Sequence, residues 1–181
     1  GEPALKFVHE QEGQLAKATE ILRAPPERLA AATQQLFDQW KIAQKEVTKL
    51  RERLAELRLA ELRSKAKQIG AVRIVSEEID AANTDELIKI AGALTREDES
   101  MVVVLGMKDK KVPAVAITTM AGPVAVEAGI NCGQLAAVAA SMLGGGGGGN
   151  PEMGQGGGPN VEMLKGALEG AVVKIREILE R

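Results

Sequence analysis

Apolar residues recur at helical spacing over most of the first 68 residues of the chain. From Ala4 to Leu22 they fall on one face of a helix, and Pro25-Pro26 then interrupts the pattern. A second helix is expected from Glu27 to about Gln68, because this segment contains neither proline nor glycine. Its apolar positions alternate steps of four and three, the heptad spacing of a coiled coil. We therefore predict a long helical hairpin or coiled-coil arm over residues 1–68.

The arm carries more apolar surface than its two helices can bury against each other. If the first helix folds back on the second, it covers only about the first twenty residues of that helix. The apolar positions beyond Val47 must then be buried by the globular part of the chain or by a second copy. Coiled-coil seams usually pair with their own kind, so we predict a homodimer. The expected dimer contacts are Trp40, Val47, Leu50, Leu54, Leu57 and Leu62.

Residues 69–181 alternate between β-rich runs and helical patterns. Met101–Leu105 is a continuous β-rich run, which is typical of a central strand covered on both faces. Pro113 places the next run, Val112–Thr118, at a strand start or a sheet edge, and Lys108–Lys111 forms the hairpin tip between the two runs. The other expected elements are a strand over Ala71–Ser76 and helices after Asn83, over Ile130–Leu143 and over Asn160–Glu180. The predicted fold class is α/β (α+β): the arm is followed by a globular α/β sandwich with at least three strands.

A glycine-rich segment, residues 144–158, joins the last two predicted helices. Ten of its fifteen residues are glycine, which loses more conformational freedom on folding than any other residue. A flexible linker is one interpretation. Because helices bound the segment closely on both sides, we favour an ordered loop built into the domain. Such a loop uses glycine for positive φ angles in succession, or to let a phosphate, sugar or base approach the backbone.

Composition and charge limit the possible functions. The net charge is −2, with eleven Lys/Arg against fifteen Asp/Glu over residues 67–181, so any nucleic-acid contact must come from local patches. One cysteine, Cys132, and one histidine, His9, cannot form the usual four-ligand zinc site or an internal disulfide. The single cysteine fits a reducing cytoplasm, and we expect neither a secretion signal nor a membrane span. The start without Met is compatible with a piece of a longer protein.

No catalytic constellation emerges from these residues. Gly144–Gly149 formally satisfies two phosphate-binding glycine patterns, but Asn150-Pro151 follows where a P-loop needs Lys and Ser or Thr, and a helix precedes where a dinucleotide site needs a strand. All three aromatic residues lie in the arm, so base stacking is not expected in the globular part. A loop almost without side chains suits recognition of a folded RNA by shape, with hydrogen bonds from Asn150 and Gln155 and apolar contact from Met153.

Two stretches carry a family resemblance. The sequence from Gly129 to Leu135 (GINCGQL), followed by the glycine-rich run through Gly158, resembles the C-terminal glycine-rich domain of alanyl-tRNA synthetases, and archaeal forms most closely. The same domain type accompanies DHH phosphoesterases. The Pro25-Pro26 break and the Phe37–Lys41 region resemble the helical linker that precedes this domain in the synthetases.

The resemblance implies a tRNA-binding and dimerisation module. The parent enzyme would ligate alanine to tRNA-Ala with ATP and Mg²⁺ and edit mischarged tRNA at a zinc site, whereas the 181 residues would hold no catalytic centre, metal or cofactor. The partners would be the elbow of tRNA-Ala, a second copy and the rest of the synthetase. The implied RNA-binding residues are Gly144, Gly145, Gly146, Gly147, Gly148, Gly149, Asn150, Met153, Gln155, Gly156, Gly157 and Gly158, together with Lys108, Lys110 and Lys111.

Two alternatives remain open at this point. The chain could be the accessory domain of a DHH phosphoesterase, although the arm carries no Asp-His-His motif. It could also be a purely structural dimerisation tail whose glycine segment only closes the fold. The acidic charge of residues 67–181 predicts weak RNA binding that matters mainly when the domain is tethered to a catalytic body.

Overall fold

The computed structural model describes residues 2–180, apart from the side chain of Ala4. The chain forms two compact units, Gly1–Ala55 and Glu56–Arg181. The first unit contains α1 (Glu2–Leu22), a 3-10 turn (Pro26–Arg28) and the beginning of α2 (Leu29–Lys65). Pro26 opens the turn as predicted, since its missing N–H and fixed φ suit the first turn of a helix.

The apolar residues of the first unit remain exposed on both of its helices. Leu5 and Phe7 on α1, and Leu36 and Trp40 on α2, each keep more than half of their surface accessible. The two helices therefore exist as expected but do not bury their apolar faces against each other within residues 2–55. Phe37 and Trp40 stack with their ring centroids 5.8 Å apart, and the Lys41 ammonium lies 4.5 Å above the Phe37 ring.

A six-stranded sheet organises the second unit. Its strands are β1 (Lys67–Ile69), β2 (Val72–Glu78), β3 (Met101–Lys108), β4 (Val115–Ala121), β5 (Gly146–Gly149) and β6 (Met153–Gly158), in the order β1-β2-β3-β4-β6-β5. Only the β2–β3 pair is parallel. Residues 101–107 are all buried, which confirms the prediction of a central strand covered on both faces.

Helices cover the sheet on both sides. On one face, α3 (Thr84–Glu97) and the end of α2 bury Val75, Val103 and Leu105. On the other, α5 (Cys132–Met142) and α6 (Leu164–Leu179) bury Ile74, Val104 and Ile117, and a short α4 (Pro123–Glu127) precedes them. A 3-10 turn (Val161–Met163) leads into α6. The predicted α+β sandwich is therefore correct.

The start of α3 has the local chemistry that the sequence indicated. The Asn83 side chain accepts a hydrogen bond from the Glu86 amide at 3.0 Å, and the Glu86 carboxylate accepts one from the Ala82 amide at 2.7 Å. These bonds satisfy two backbone donors at the helix start. The Glu86 carboxylate also pairs with Arg58 of α2 at 3.0 Å, so the cap joins the two helices on this face.

The structure corrects three predicted boundaries. The long helix ends at Lys65 because residues 67–69 instead pair with β2 as an edge strand. Gly70, expected at the helix end, lies in the β1–β2 turn with φ +59°, a conformation that favours glycine. The strand expected from Val112 begins at Val115, because the Asp109 carboxylate accepts from the amides of Lys111 and Val112 and holds them in the turn.

Candidate functional site

The glycine-rich segment is a β-hairpin in this structure. The segment from Gly146 to Gly149 pairs antiparallel with Met153–Gly158, which in turn pairs with β4. The prediction of a loop over residues 144–158 was therefore wrong about its secondary structure. Positive φ angles occur in this segment only at Gly144 (72°) and Gly149 (149°), so a succession of left-handed residues does not explain its composition either.

The hairpin turn is fastened to the start of α5. The Asn150 carboxamide oxygen accepts from the amides of Glu152 (3.0 Å) and Met153 (2.8 Å) and thereby shapes the turn. The backbone oxygens of Asn150 and Pro151 accept from the first amides of α5, Gly133 N at 2.9 Å and Cys132 N at 3.0 Å. The amide oxygen of Asn150, predicted to contact RNA, is therefore used within the fold. The hydrogen bonds donated by Gly133 N and Cys132 N also occupy N-terminal amides of α5 that an anion would otherwise bind.

Close packing against α5 explains several of the glycines. A Cβ at Gly147 would lie 2.6 Å from the Ala136 carbonyl oxygen, and a Cβ at Gly156 would lie 2.7 Å from the Ala140 Cβ. Gly147 and Gly156 are cross-strand partners, so both face the helix. The alanines of α5 allow this approach, as their small side chains suggested. We call Gly147 and Gly156 the packed glycines.

The opposite side of the hairpin is open. A Cβ at Gly146 or Gly148 would meet nothing within 4 Å, because these residues alternate with the packed glycines along β5. Gln155, the cross-strand partner of Gly148, is exposed, and its side chain makes no hydrogen bond within residues 2–180. We call Gly146, Gly148 and Gln155 the open face. This surface presents backbone and one carboxamide to solvent.

Several other predicted RNA-binding residues of the segment have structural roles. A Cβ at these positions would strike backbone atoms across the hairpin or in neighbouring elements, or, at Gly144, the Asn160 side chain. Met153 is half-buried. The predicted residues that support the open face in this way are Gly144, Gly145, Gly149, Gly157 and Gly158. Gly154, which was not predicted, has the same role, since its Cβ would strike the Cys132 backbone.

The predicted lysine tip is partly neutralised within the domain. Lys108 pairs with Glu78 at 3.0 Å, and Lys110 pairs with Asp80 at 2.7 Å. Hydrogen bonding and charge attraction from Lys110 hold the pKa of Asp80 below its ordinary value. Lys111 makes no ion pair among the described residues. Backbone hydrogen bonds from Lys111 and Val112, and then the charge of Lys111, hold the pKa of the nearby Asp109 carboxyl below its ordinary value.

The sheet register places the lysine tip near one end of the hairpin. Lys108 lies opposite Val115, and Val115 lies opposite Gly158 on the other side of β4. At the ordinary strand spacing, Lys108 is thus about 10 Å from Gly158. The Asn150 turn lies at the opposite end of the hairpin. The structure therefore brings the lysines to the Gly146 end of the open face and separates them from Asn150.

The Cys132 thiol is buried beneath the hairpin. Its side chain has no exposed surface. The backbone carbonyl of the same residue accepts a hydrogen bond from the Thr119 hydroxyl at 2.8 Å. Burial raises the pKa of Cys132 to about 12. The thiol is therefore a packing group in the folded domain.

We expect Cys132 to report the folding of the hairpin region. At pH 8 a pKa raised from 9.0 to about 12 lowers the thiolate fraction about a thousandfold, and burial blocks access further. The native chain should therefore react with a disulfide reagent at least about a thousandfold more slowly than the chain in denaturant. Rapid labelling of the native chain would show that this region opens readily.

The residues predicted to form a dimer seam divide into two groups. Trp40, Val47, Leu50, Leu54 and Leu57 are exposed within the chain. Leu62 is only 5% exposed, because it packs with Val75 and Leu87 in the core between the sheet and α3. Its predicted dimer contact is therefore corrected to a core contact of the second unit. We keep the term seam for the five exposed residues.

Neither a metal site nor a membrane helix emerges from the described part of the chain. Over residues 2–180, no three His, Cys, Asp or Glu side chains are grouped so that they could hold a metal ion. No helix in the same range is long and apolar enough to span a membrane.

The second unit is an α+β domain, and the open face of its glycine-rich hairpin is a surface with almost no side chains. The family model described as "DHHA1 domain" matches residues 71–180. The chain therefore belongs to the DHHA1 domain family. The glycine pattern that carried the resemblance lies inside the matched region.

Curated relatives and one solved structure extend this result. Alanine–tRNA ligases of Methanococcoides burtonii and Methanothrix thermoacetophila are 35% and 34% identical, and each alignment covers 99% of this chain but 19% of the relative. The chain thus spans about a fifth of the length of these relatives. The C-Ala domain of Aquifex aeolicus alanyl-tRNA synthetase shares the fold, with a TM-score of 0.55 and 20% identity over 65% of this chain and 99% of that one. The resemblance to the synthetase C-terminal domain is confirmed.

Proposed function

We propose that the second unit binds folded RNA through the open face, as the tRNA-binding module of an alanyl-tRNA synthetase. The observation that carries the proposal is the open space at Gly146 and Gly148. The fold requires glycine at the packed positions but tolerates a side chain at these two. Glycine there keeps the surface flat, so that a rigid RNA surface can approach the backbone closely.

The relatives support tRNA-Ala as the RNA. They are named alanine–tRNA ligases, and their similarity to this chain extends along nearly its whole length. The proposed contact is the elbow of the tRNA, a rigid feature that can be recognised by shape. The whole protein would activate alanine with ATP and Mg²⁺ and would edit mischarged tRNA at a zinc site, acting in the cytoplasm. Those centres would lie outside the 181 residues.

Electrostatics gives Lys111 a secondary role in this proposal. Lys111 belongs to the turn near the Gly158 end of the hairpin and makes no ion pair among the described residues, whereas Lys108 and Lys110 are paired with carboxylates. The acidic balance of residues 67–181 opposes strong binding. The isolated chain should therefore bind RNA weakly and with a small salt dependence, and tethering to a catalytic body would raise the effective concentration.

The exposed seam supports the second part of the proposal, a homodimer. Five apolar side chains at heptad spacing remain accessible on one helix. Pairing with a second copy would bury them, as in other coiled coils.

We expect Gly148→Val to weaken RNA binding without unfolding the domain. The new side chain enters open space on a strand, where a β-branched residue is well tolerated. It would hold a flat RNA surface away from the backbone, so affinity for a tRNA-Ala transcript should fall about tenfold or more, equivalent to about 1.4 kcal/mol. Fluorescence anisotropy at low salt measures the affinity, and thermal unfolding monitors the fold.

Two controls decide the interpretation. Gly166→Ala replaces a glycine of α6 where the new Cβ would make only ordinary contacts, at 3.7 Å or more, and it should leave RNA affinity unchanged. A tRNA with its D-loop/T-loop contact disrupted should bind the unmodified chain more weakly. Equal binding of both RNAs excludes the elbow. Equal affinity of Gly148→Val and the unmodified chain excludes the open face and favours a structural tail.

A further inference from the structure

A groove between α6 and the β1–β2 edge of the sheet lies outside the proposed RNA surface. Its volume is about 680 Å³. Ile74 of β2 and Leu168 of α6 lie at its floor but are only 4% and 6% exposed, so the accessible apolar side chains are the half-buried Ile69 and Val172 and the exposed Val173. Val173, on the wall formed by α6, remains 55% exposed. An exposed valine beside an apolar floor indicates surface that is available for docking.

The layering of the sandwich explains why this groove exists. On this face, α5 lies against β4, β5 and β6, whereas α6 lies against β2 and β3. β1, the three-residue strand at the edge of the sheet, contributes Lys67 and Ile69 to the groove, and Ile69 packs against the core. The groove is the space that this layering leaves between β1 and α6 among the described residues.

The rim of the groove carries an excess of positive charge. Lys67, Lys165 and Arg176 make no ion pair among the described residues. Lys65 is already held by Glu61 at 3.0 Å and Glu77 at 3.2 Å, and these contacts raise its pKa. Glu78, also on the rim, is paired with Lys108. Among the lining residues without an ion pair, Glu169 is the one carboxylate against three cations, so the unpaired charges of the rim complement an acidic ligand.

The α6 wall of the groove is long enough to lie along a partner helix of about three turns. Six α6 residues line it at the helical spacing i, i+3, i+4, i+7, i+8 and i+11, namely Lys165, Leu168, Glu169, Val172, Val173 and Arg176. This stripe is about 16 Å long at 1.5 Å per residue, or three helical turns. A strand added to β1 could pair with only three residues, so main-chain pairing would contribute little.

We propose that this groove docks an amphipathic α-helix of a partner polypeptide, about three turns long, with an apolar face flanked by carboxylates. Its apolar side chains would cover Ile69, Val172 and Val173. Its carboxylates would lie near Lys67, Lys165 and Arg176 at the rim. The proposal does not depend on RNA binding by the open face.

A designed peptide tests the proposal on the full 181-residue chain. The probe is a fluorescent 14-residue helical peptide with Leu at positions 3, 6, 7 and 10 and Glu at the flanking positions. The comparison peptide carries Lys in place of Glu. We expect saturable binding of the acidic peptide, at least about tenfold tighter than the basic one at low salt, with affinity falling as salt is added.

Variants of α6 locate the binding. Val173→Asp should weaken the acidic peptide about tenfold or more, because a carboxylate would be buried against apolar surface. Arg176→Glu should weaken it several-fold, whereas Lys174→Glu, a matched reversal on a residue outside the groove, should not. Thermal unfolding confirms that each variant is folded. No binding, equal binding of both peptides, or binding that survives Val173→Asp, as expected from attachment to the exposed seam, would overturn the proposal.

Discussion

Gly147→Ala is expected to destabilise the second unit by about 1–3 kcal/mol, the usual range for overpacking. The added Cβ would lie 2.6 Å from the Ala136 carbonyl oxygen and 3.0 Å from the Ala140 Cβ. Neither neighbour can move easily, because one is helix backbone and the other is the short side chain of a packed helix. The hairpin must therefore shift away from α5 or strain its pairing with β4. Urea unfolding at equilibrium measures the loss.

Gly148→Ala is the matched control for this prediction. It makes the same chemical change one residue along the same strand, but its Cβ enters open space. Replacing glycine reduces the freedom of the unfolded chain, so stability should stay equal or rise by up to about 1 kcal/mol. Similar losses for both variants would show that glycine is needed throughout β5 and would remove the distinction between packed glycines and open face.

The contrast between these neighbours shows what the sequence could and could not reveal. Met101–Leu105 and the Asn83 cap were predictable, because a long β-rich run and an Asn-x-x-Glu spacing carry local signals. An all-glycine strand carries no such signal, since glycine has no side chain to favour the extended state. Its pairing is imposed by β6 and by the alanines of α5. Which glycines are packed and which are open depends on the register, so composition could not separate them.

The exposed seam of α2 gives a second example of what the sequence could not reveal. Leu57 and Leu62 are both leucines in one unbroken amphipathic helix, yet they are 55% and 5% exposed. The heptad pattern continues to Leu57 without a sign of where the globular core begins. The place where the core begins is set by β2 and α3, which follow α2 in the chain and bury Leu62. For the glycine-rich segment, the sequence could identify the candidate RNA-binding residues as a group. Separating the glycines that pack within the fold from those of the open face required the structure.

Leu62→Ala and Leu57→Ala should separate folding from self-association. Leu62→Ala removes a side chain from the core between α2, β2 and α3, so it should cost about 2–4 kcal/mol of unfolding free energy. Leu57→Ala removes an exposed side chain and should change the unfolding free energy of the dilute monomer by less than about 0.5 kcal/mol. Urea unfolding at low chain concentration compares the two variants.

The homodimer hypothesis predicts the opposite order for association. If the seam joins two copies, Leu57→Ala should weaken the dimer because it removes buried apolar surface from the interface, and light scattering should detect monomer at higher concentration than in the unmodified chain. Leu62→Ala should leave the mass of the folded species unchanged, since that side chain is covered by its own domain. A chain that is monomeric before substitution contradicts the dimer. An unchanged dimer in Leu57→Ala places the interface elsewhere, while the core role of Leu62 still stands on the unfolding data.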